Sequence, residues 1–316
     1  MHQKEIGGNM TDNKGANRLY LVIVALYVIA SLLFAKVIPF ELPTYAGIIV
    51  SQLIVVVPAV LYCIIRKISI KELFPYRKIS LSTAVLVVVS TYLMYPLMIV
   101  LNMITLLFTK SGTASMQSEM SQFPLIVSTV LVALVPACVE EFVFRGVLFQ
   151  TYRRKRVFSA ILLSALLFGC MHMNVNQFAY TFVMGIYMAF LVEGTGSMFS
   201  SMLAHFTLNF TGVFLSWLIG KRTGAFDKTG DMSQVGNFLD YGNDTVIMLL
   251  FGILIWFIIA IGTTAGAIAI YLQICKMNGR REHIKTIFRK QSTEKLITIP
   301  LILAIAITIA IMVLVF

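Results

Sequence analysis

The chain has 316 residues, of which 59% are hydrophobic and only 12% charged, and its formal net charge is +11. Soluble domains carry about a quarter of charged residues, so this composition excludes a water-soluble protein and predicts one embedded in a bilayer. The basic excess then belongs to loops at the membrane surface rather than to nucleic-acid binding, and four scattered cysteines without a CxxC pair exclude a disulfide framework or thiolate zinc site.

Nine apolar stretches are long enough, or nearly so, to cross the hydrocarbon core, which takes ~20 helical residues. Because a lipid-exposed backbone must satisfy its own hydrogen bonds, each stretch is predicted to be an α-helix. In chain order they cover 19–40, 45–65, 80–108, 124–150, 157–172, 176–193, 197–219, 244–274 and 296–316. We therefore predict an all-α fold, a polytopic transmembrane bundle of about nine spans. It divides into segment 1–18, spans one to three in 19–123, a four-helix core in 124–219, and an outer loop with the last two spans in 220–316.

The basic residues indicate the orientation of these spans. They concentrate in 1–18, 66–79, 153–156 and 276–295, which share one side if nine spans follow a cytoplasmic N-terminus. This asymmetry is what the positive-inside rule predicts. It places the loop 220–244 outside and makes Glu193 a helix-end residue near the cytoplasm. Since no eukaryotic-style targeting signal is present, we expect a multi-pass protein of a bacterial plasma membrane.

The fourth span carries three ionisable residues, each of which costs ~3 kcal/mol or more at a helix centre and is by default a functional candidate. Glu141 and Arg145 are four residues apart, so they share a helix face and can pair. Glu140 has no such partner on its own helix. An unpaired, desolvated carboxylate suits a general base that works near neutral pH, and we predict this role for Glu140.

Two further spans carry polar residues at a similar depth. His172 ends the fifth span, and His205 and Asn209 lie one helical turn apart on the seventh. From the rise per residue, Glu140 and His172 lie ~20 and ~24 Å from the basic loop that joins their spans. These four groups can therefore converge on one polar pocket. The residues Glu140, His172 and His205 can also hold Zn²⁺ with an open position for water, so the sequence leaves a zinc site and a metal-free site both open.

At these residues the sequence resembles the CAAX prenyl endopeptidase and bacteriocin-processing family of intramembrane proteases. The pattern of that family is EExxxR, then FxxxH, then HxxxN or HxxxD, each on a separate transmembrane helix. Here the three motifs are EEFVFR at 140–145, FGCMH at 168–172 and HFTLN at 205–209. The resemblance covers about 135–212, the fourth to seventh spans, and makes these four helices the expected catalytic core.

The resemblance implies an endopeptidase that cleaves a membrane-associated or hydrophobic peptide. It implies that Glu140 activates a water, that His172 holds this water or a metal, and that His205 and Asn209 stabilise the oxyanion. The ion pair of the fourth span would support them. CAAX-type processing, pheromone maturation and bacteriocin self-immunity all remain open. The expected partners are membrane lipids and a hydrophobic or lipid-anchored peptide, and nucleic acid is not expected.

Two other functions are compatible with a polar bundle interior. A transporter also uses buried Glu and His to relay protons or bind cations. Transporters often carry two repeated halves, however, whereas the polar residues here occupy a single run of four spans. The second alternative is a catalytically idle scaffold, although all three motifs are intact. A peptidase requires Glu140, His172, His205 and Asn209 to line one cavity.

Overall fold

The structure is a computed structural model that describes residues 12–37, 42–109, 123–154, 156–223, 243–289 and 295–314. Within these ranges every regular element is a helix and none is a strand. The predicted all-α fold is therefore confirmed. Most of the predicted outer loop 220–244, and residues 1–11 of the predicted N-terminal segment, lie outside the described residues.

Three long apolar helices precede the segment that carries the motifs. They are α1 (Asn13–Lys36), α2 (Thr44–Ile65) and α4 (Leu81–Leu106), and a four-residue helix, α3 (Ile70–Leu73), lies in the basic loop between α2 and α4. Each long helix coincides with a predicted span to within a few residues. Side-chain caps begin two of them, since Asp12 accepts a hydrogen bond from the backbone N–H of Gly15 at α1, and Ser80 accepts one from Thr83 at α4, at 3.2 Å.

The next helix, α5, spans Leu125–Arg153 and is not a regular α-helix throughout. It contains two π-helical stretches, Thr129–Leu134 and Phe142–Leu148, and the second begins directly after Glu141. π-Helical turns are rare and are often found at functional sites. Here they change which side chains of α5 face the interior, on both sides of Glu140.

Six further helices complete the described chain. They are α6 (Val157–Met171), α7 (Val175–Thr195), α8 (Met198–Thr223), α9 (Asn243–Met277), α10 (Arg281–Thr286) and α11 (Ile299–Leu314). Gly196 ends α7 in the left-handed conformation, with φ of 68°. Glycine adopts this conformation without strain, which allows the sharp turn from α7 into α8.

Seven helices are long and apolar enough to cross a membrane, namely α1, α2, α4, α5, α7, α8 and α9. Two apolar helices are shorter, since α6 has 15 residues and α11 has 16. At ~22–24 Å they fall short of a hydrocarbon core of ~30 Å. All nine predicted stretches are thus helical and the protein is multi-pass, but a count of nine spans requires that both short helices cross as well.

The helices that carry the motifs lie in the interior of the bundle. The helix α6 packs along α7, α8 packs against α5, and α9 covers α4. The outer helices turn large apolar side chains away from the bundle, for example Leu53 of α2 and Phe251 of α9, which are 50% and 63% exposed. A bilayer would cover this outer surface. The motif-bearing segment α5 to α8 contributes to the site on the inner side of these helices.

Candidate active site

A single cavity of about 480 Å³ lies between α2, α4, α5, α6, α7 and α8. Its wall includes all four residues that the motifs single out, Glu140, His172, His205 and Asn209. They come from α5, from the end of α6 and from α8. The convergence expected from helical depth is therefore present in the fold.

Beneath the cavity, Glu141 and Arg145 form the ion pair that their spacing predicts. The Arg145 Nη1 lies 2.9 Å from the Glu141 Oε1, and both side chains are completely buried. The guanidinium also stacks over the ring of Phe168, 4.4 Å from its centroid. Removing either member of a buried pair leaves an uncompensated charge, so this pair fixes the part of α5 next to Glu140.

The ring of His205 lies between two carboxylates. Its Nδ1 is 3.1 Å from the Oε1 of Glu141, and its Nε2 is 3.8 Å from the Oε2 of Glu140. A carboxylate bound to one ring nitrogen fixes the orientation of the imidazole, so the other ring nitrogen points away from that carboxylate. The buried ion pair therefore holds His205 with its Nε2 facing Glu140 and the cavity.

The ring of His172 is fixed by the first residue of its own motif. The His172 Nδ1 lies 2.9 Å from the backbone carbonyl oxygen of Phe168, which can only accept. The Nδ1 therefore carries a proton, and in the neutral ring the Nε2 is left as an acceptor. The next residue, Met173, has φ of 48°, which is uncommon for a residue other than glycine. This tight turn between α6 and α7 brings His172 to the cavity wall.

Asn209 joins α8 to the first π-helical stretch of α5. Its Nδ2 donates a hydrogen bond to the backbone carbonyl oxygen of Val132 at 3.1 Å. A side-chain amide carries two N–H donors, so a second N–H of Asn209 is left for another acceptor in the cavity.

Residues 122–211 match a family model, Rce1-like, described as type II CAAX prenyl endopeptidase Rce1-like. This Rce1-like segment covers α5, α6, α7 and half of α8, and it contains all three motifs. The predicted family resemblance is confirmed over these residues, and the match to a protease family supports peptidase activity. Searches of curated proteins and of solved structures gave no match.

Gln52 belongs to the part of the cavity wall that lies outside the Rce1-like segment, and reasoning from motifs missed it. Gln52 of α2 donates from its Nε2 to the Oε1 of Glu140 at 3.0 Å. The sequence predicts no partner for Glu140 on its own helix, and the hydrogen bond to Glu140 comes instead from the neutral amide of another helix. The available signal was a glutamine within an apolar span, a residue type that often bonds between membrane helices.

The three candidate metal ligands of the Rce1-like segment, Glu140, His172 and His205, do not form a ligand set. In the described part of the chain, no group of three or more His, Cys, Asp or Glu is arranged to hold a metal ion. The Nδ1 of His205 is engaged by Glu141, and its Nε2 lies 3.8 Å from Glu140. A carboxylate at the Nδ1 is the usual support for a histidine that binds a metal through its Nε2, so Glu140 and His205 are compatible with a shared metal. A group of three such ligands is what the described residues lack.

A second buried cluster lies at the end of the bundle that carries the basic loops. Glu193 of α7 is fully buried and accepts from the Nε and Nη2 of Arg153 at 2.5 and 2.9 Å. Its Oε2 lies 2.5 Å from the Nε2 of His283, and the Nε of Arg280 donates to its backbone carbonyl oxygen at 3.0 Å. The cluster joins the Rce1-like segment to α10, and sequence reasoning treated Glu193 only as a helix end.

Proposed function

We propose that this protein is an intramembrane endopeptidase that hydrolyses a peptide bond in a membrane-associated or hydrophobic peptide. The observation that carries this proposal is the shared cavity, where Glu140, His172, His205 and Asn209 meet within a segment that matches a protease family. A carboxylate, two histidines and an amide around one cavity supply a base, a water-orienting group and oxyanion donors.

Glu140 would act as the general base. Its carboxylate is 16% exposed, at the cavity wall, and its bonded partner is the neutral amide of Gln52. It would take a proton from a water molecule as that water attacks the peptide carbonyl, and would return the proton to the leaving amine. The Nε2 of His172 would accept a hydrogen bond from the same water and orient it.

Asn209 and His205 would stabilise the oxyanion of the tetrahedral intermediate. Asn209 has a second N–H beyond the one that it donates to Val132. His205 would donate from its Nε2 when the ring is protonated, while Glu141 holds its Nδ1. Fixed donors in a site shielded from water act strongly, because they need no reorganisation as charge develops.

The shape of the cavity supports access from the end of the bundle opposite the basic loops. Its wall includes Asn102, Gln177 and Ser216, which lie near the α4, α7 and α8 termini at that end. Toward the basic loops the interior is packed, since the ring of Phe74 stacks on Phe142 with centroids 4.9 Å apart. With the basic loops in the cytoplasm, the substrate would reach Glu140 from the outer side.

The proposal is tested with the protein purified in detergent and a library of quenched hydrophobic peptides, each product identified by mass spectrometry. Wild-type protein is expected to cleave a subset of peptides, and Glu140→Gln to cleave none. A parallel reaction with a chelator decides between the two mechanisms that the sequence left open, because the chelator stops cleavage if a metal takes part and leaves the rate unchanged if Glu140 activates water alone. Equal cleavage by both proteins would refute the role of Glu140, and no cleavage by wild type in detergent or in liposomes would refute the peptidase.

A further inference from the structure

Gln52 has an unusual place in the site, because α2 lies outside the Rce1-like segment that contains the motifs. The helix α2 packs on α5 next to Glu140, and Gln52 reaches the cavity wall. The hydroxyl of the neighbouring Ser51 donates a hydrogen bond to the carbonyl oxygen of Ile48 at 2.7 Å, so its bond stays within α2. Gln52 instead makes its hydrogen bond across the helix interface to Glu140.

The geometry also fixes which way the amide of Gln52 points. An ionised carboxylate only accepts hydrogen bonds, so the NH₂ of Gln52 must face Glu140. The Oε1 of Gln52 is then left buried, and among the described residues it has no hydrogen-bond partner. A buried polar atom without a partner costs about 1–3 kcal/mol. A glutamine that served only to join helices would be expected to satisfy both ends, whereas this one holds a single group, the Glu140 carboxylate.

We propose that Gln52 is a positioning residue that holds the Glu140 carboxylate in the orientation needed to take a proton from water. This inference rests on the proposed function and adds α2 to the machinery of the site. Loss of the amide would leave Glu140 free to rotate, and misplacing a reacting group by about 1 Å can cost ~10²-fold in rate. Substrate binding would be affected much less than turnover.

The test combines stability and kinetics on the full-length protein. The melting temperature in detergent is measured for wild type, Gln52→Leu, Glu140→Gln and the double variant, together with Gln273→Leu as the matched control. Gln273 is an exposed glutamine of α9, far along the chain from the site. On a cleaved peptide, kcat and KM are measured for wild type, Gln52→Leu, Gln52→Glu and Gln273→Leu.

We expect the effects of Gln52→Leu and Glu140→Gln on melting temperature to be non-additive, because the residues share a bond. We expect Gln52→Leu to lower kcat about 10-fold or more with little change in KM, and Gln273→Leu to change neither. For Gln52→Glu, the ratio of its kcat to that of wild type should rise as the pH falls. The introduced carboxyl can donate a hydrogen bond to Glu140 only when it is protonated. A purely structural role would produce no such pH dependence.

Each failure has a distinct meaning. Additive melting temperatures, or an unchanged kcat in Gln52→Leu beside an active wild type, would overturn the positioning role and leave the peptidase proposal intact. A wild type that cleaves nothing would overturn the proposed function, and the inference would fall with it.

A different observation carries a second inference, which is independent of catalysis. A groove of about 710 Å³ runs between α1 and α2 on the outside of the bundle, with walls that are almost entirely apolar. Along α1 it extends from Gly15 to Leu26, or ~16 Å, which is close to one leaflet of a hydrocarbon core of ~30 Å. Its end near Gly15 is bordered by two arginines, Arg18 and Arg66.

The polar end of this groove matches an anionic headgroup. Arg66 forms a long ion pair with Asp12, with its Nη2 4.0 Å from the Oδ2 and so beyond hydrogen-bond distance. The Nε of Arg66 and the hydroxyl of Tyr62 are buried, and within the described chain neither has a hydrogen-bond partner. We propose that the groove binds one anionic phospholipid, with an acyl chain between α1 and α2 and its phosphate on Arg18 and Arg66. Basic pockets between membrane helices bind such headgroups.

Native mass spectrometry of protein from nanodiscs containing equal phosphatidylglycerol and phosphatidylcholine tests this site. Wild type should retain one phosphatidylglycerol preferentially. Arg18→Gln with Arg66→Gln should abolish the preference, and Val57→Trp should abolish retention by filling the groove. Ile258→Trp, on the exposed face of α9, is the control and should behave as wild type. Equal retention of both lipids by wild type, or undiminished retention by Val57→Trp, would overturn the proposal.

Discussion

Two glutamates in the interior of this bundle, the partly exposed Glu140 and the buried Glu193, differ in how completely their carboxylates are paired. Glu193 has Arg153 and His283 within 2.5–2.9 Å, so a guanidinium and an imidazole from two other helices hold both of its oxygens. Glu140 is bonded by the neutral amide of Gln52 at 3.0 Å. Both glutamates lie in apolar helices, so residue type and helix composition alone do not distinguish them.

The surroundings of the two carboxylates point to different roles. The Glu140 carboxylate borders a cavity of about 480 Å³. The Glu193 side chain is completely buried against its partners. A carboxylate held at both oxygens by fixed donors anchors helices to one another, whereas a carboxylate with one neutral partner beside a cavity can exchange a proton. The predictions that follow probe this contrast.

The largest effect on turnover is expected from Glu140→Gln. The amide cannot take a proton from water, and general base catalysis contributes ~10²–10⁴-fold, so kcat should fall by at least that factor. The melting temperature in detergent should change little, because the side chain keeps its size and its place beside Gln52. Residual activity within about 10-fold of wild type would show that another group acts as base.

Asn209→Ala is expected to have the next largest effect. Removing one oxyanion donor costs ~10²–10³-fold in kcat, and KM should change little because the donor acts mainly on the intermediate. The measurement is steady-state kinetics on one cleaved peptide. Asn209→Asp is the informative companion, because it keeps the shape and removes the N–H donors. If Asn209→Asp retained full activity, Asn209 would not be an oxyanion donor.

The sequence predicted the helices and the composition of the cavity wall because these depend on local pattern. Apolar runs of about 20 residues define membrane helices whatever they pack against. The four-residue spacing of Glu141 and Arg145 places them on one face, and they do pair at 2.9 Å. Helical rise placed Glu140 and His172 at a similar depth, and both line the cavity. The roles of these residues remain predictions.

What the sequence could not predict depends on contacts between distant segments. Gln52 lies 88 residues from Glu140, and His283 lies 90 residues from Glu193. No local periodicity relates such positions, so the first partner was missed and Glu193 was treated as a helix end. The π-helical stretches of α5 were also missed, because they turn Glu140 and its neighbours without leaving an apolar or polar signature in the sequence.

Arg145→Leu is expected to act through folding rather than chemistry. It would leave Glu141 buried without its cation, a change that destabilises proteins by ~3–5 kcal/mol. Glu141 also contacts His205 at 3.1 Å, so the variant molecules that do fold should have a reduced kcat as well. Thermal unfolding in detergent measures the first effect. The double variant Glu141→Leu with Arg145→Leu should recover stability but not activity, and recovery of both would show that the pair has no role in orienting His205.

Glu193→Gln should have the smallest effect on turnover, as expected if Glu193 anchors helices and Glu140 exchanges a proton. The amide cannot neutralise Arg153 or His283, so the joint between the Rce1-like segment and α10 should weaken and the melting temperature should fall. The cavity lies at a distance from this cluster, and kcat measured below the melting temperature should stay within about two-fold of wild type. The companion Arg153→Gln should lower the melting temperature in the same way, because it breaks the same pair. If Glu193→Gln instead reduced kcat as strongly as Glu140→Gln while leaving stability unchanged, the saturated carboxylate would be the functional one and the assignment of roles would be reversed.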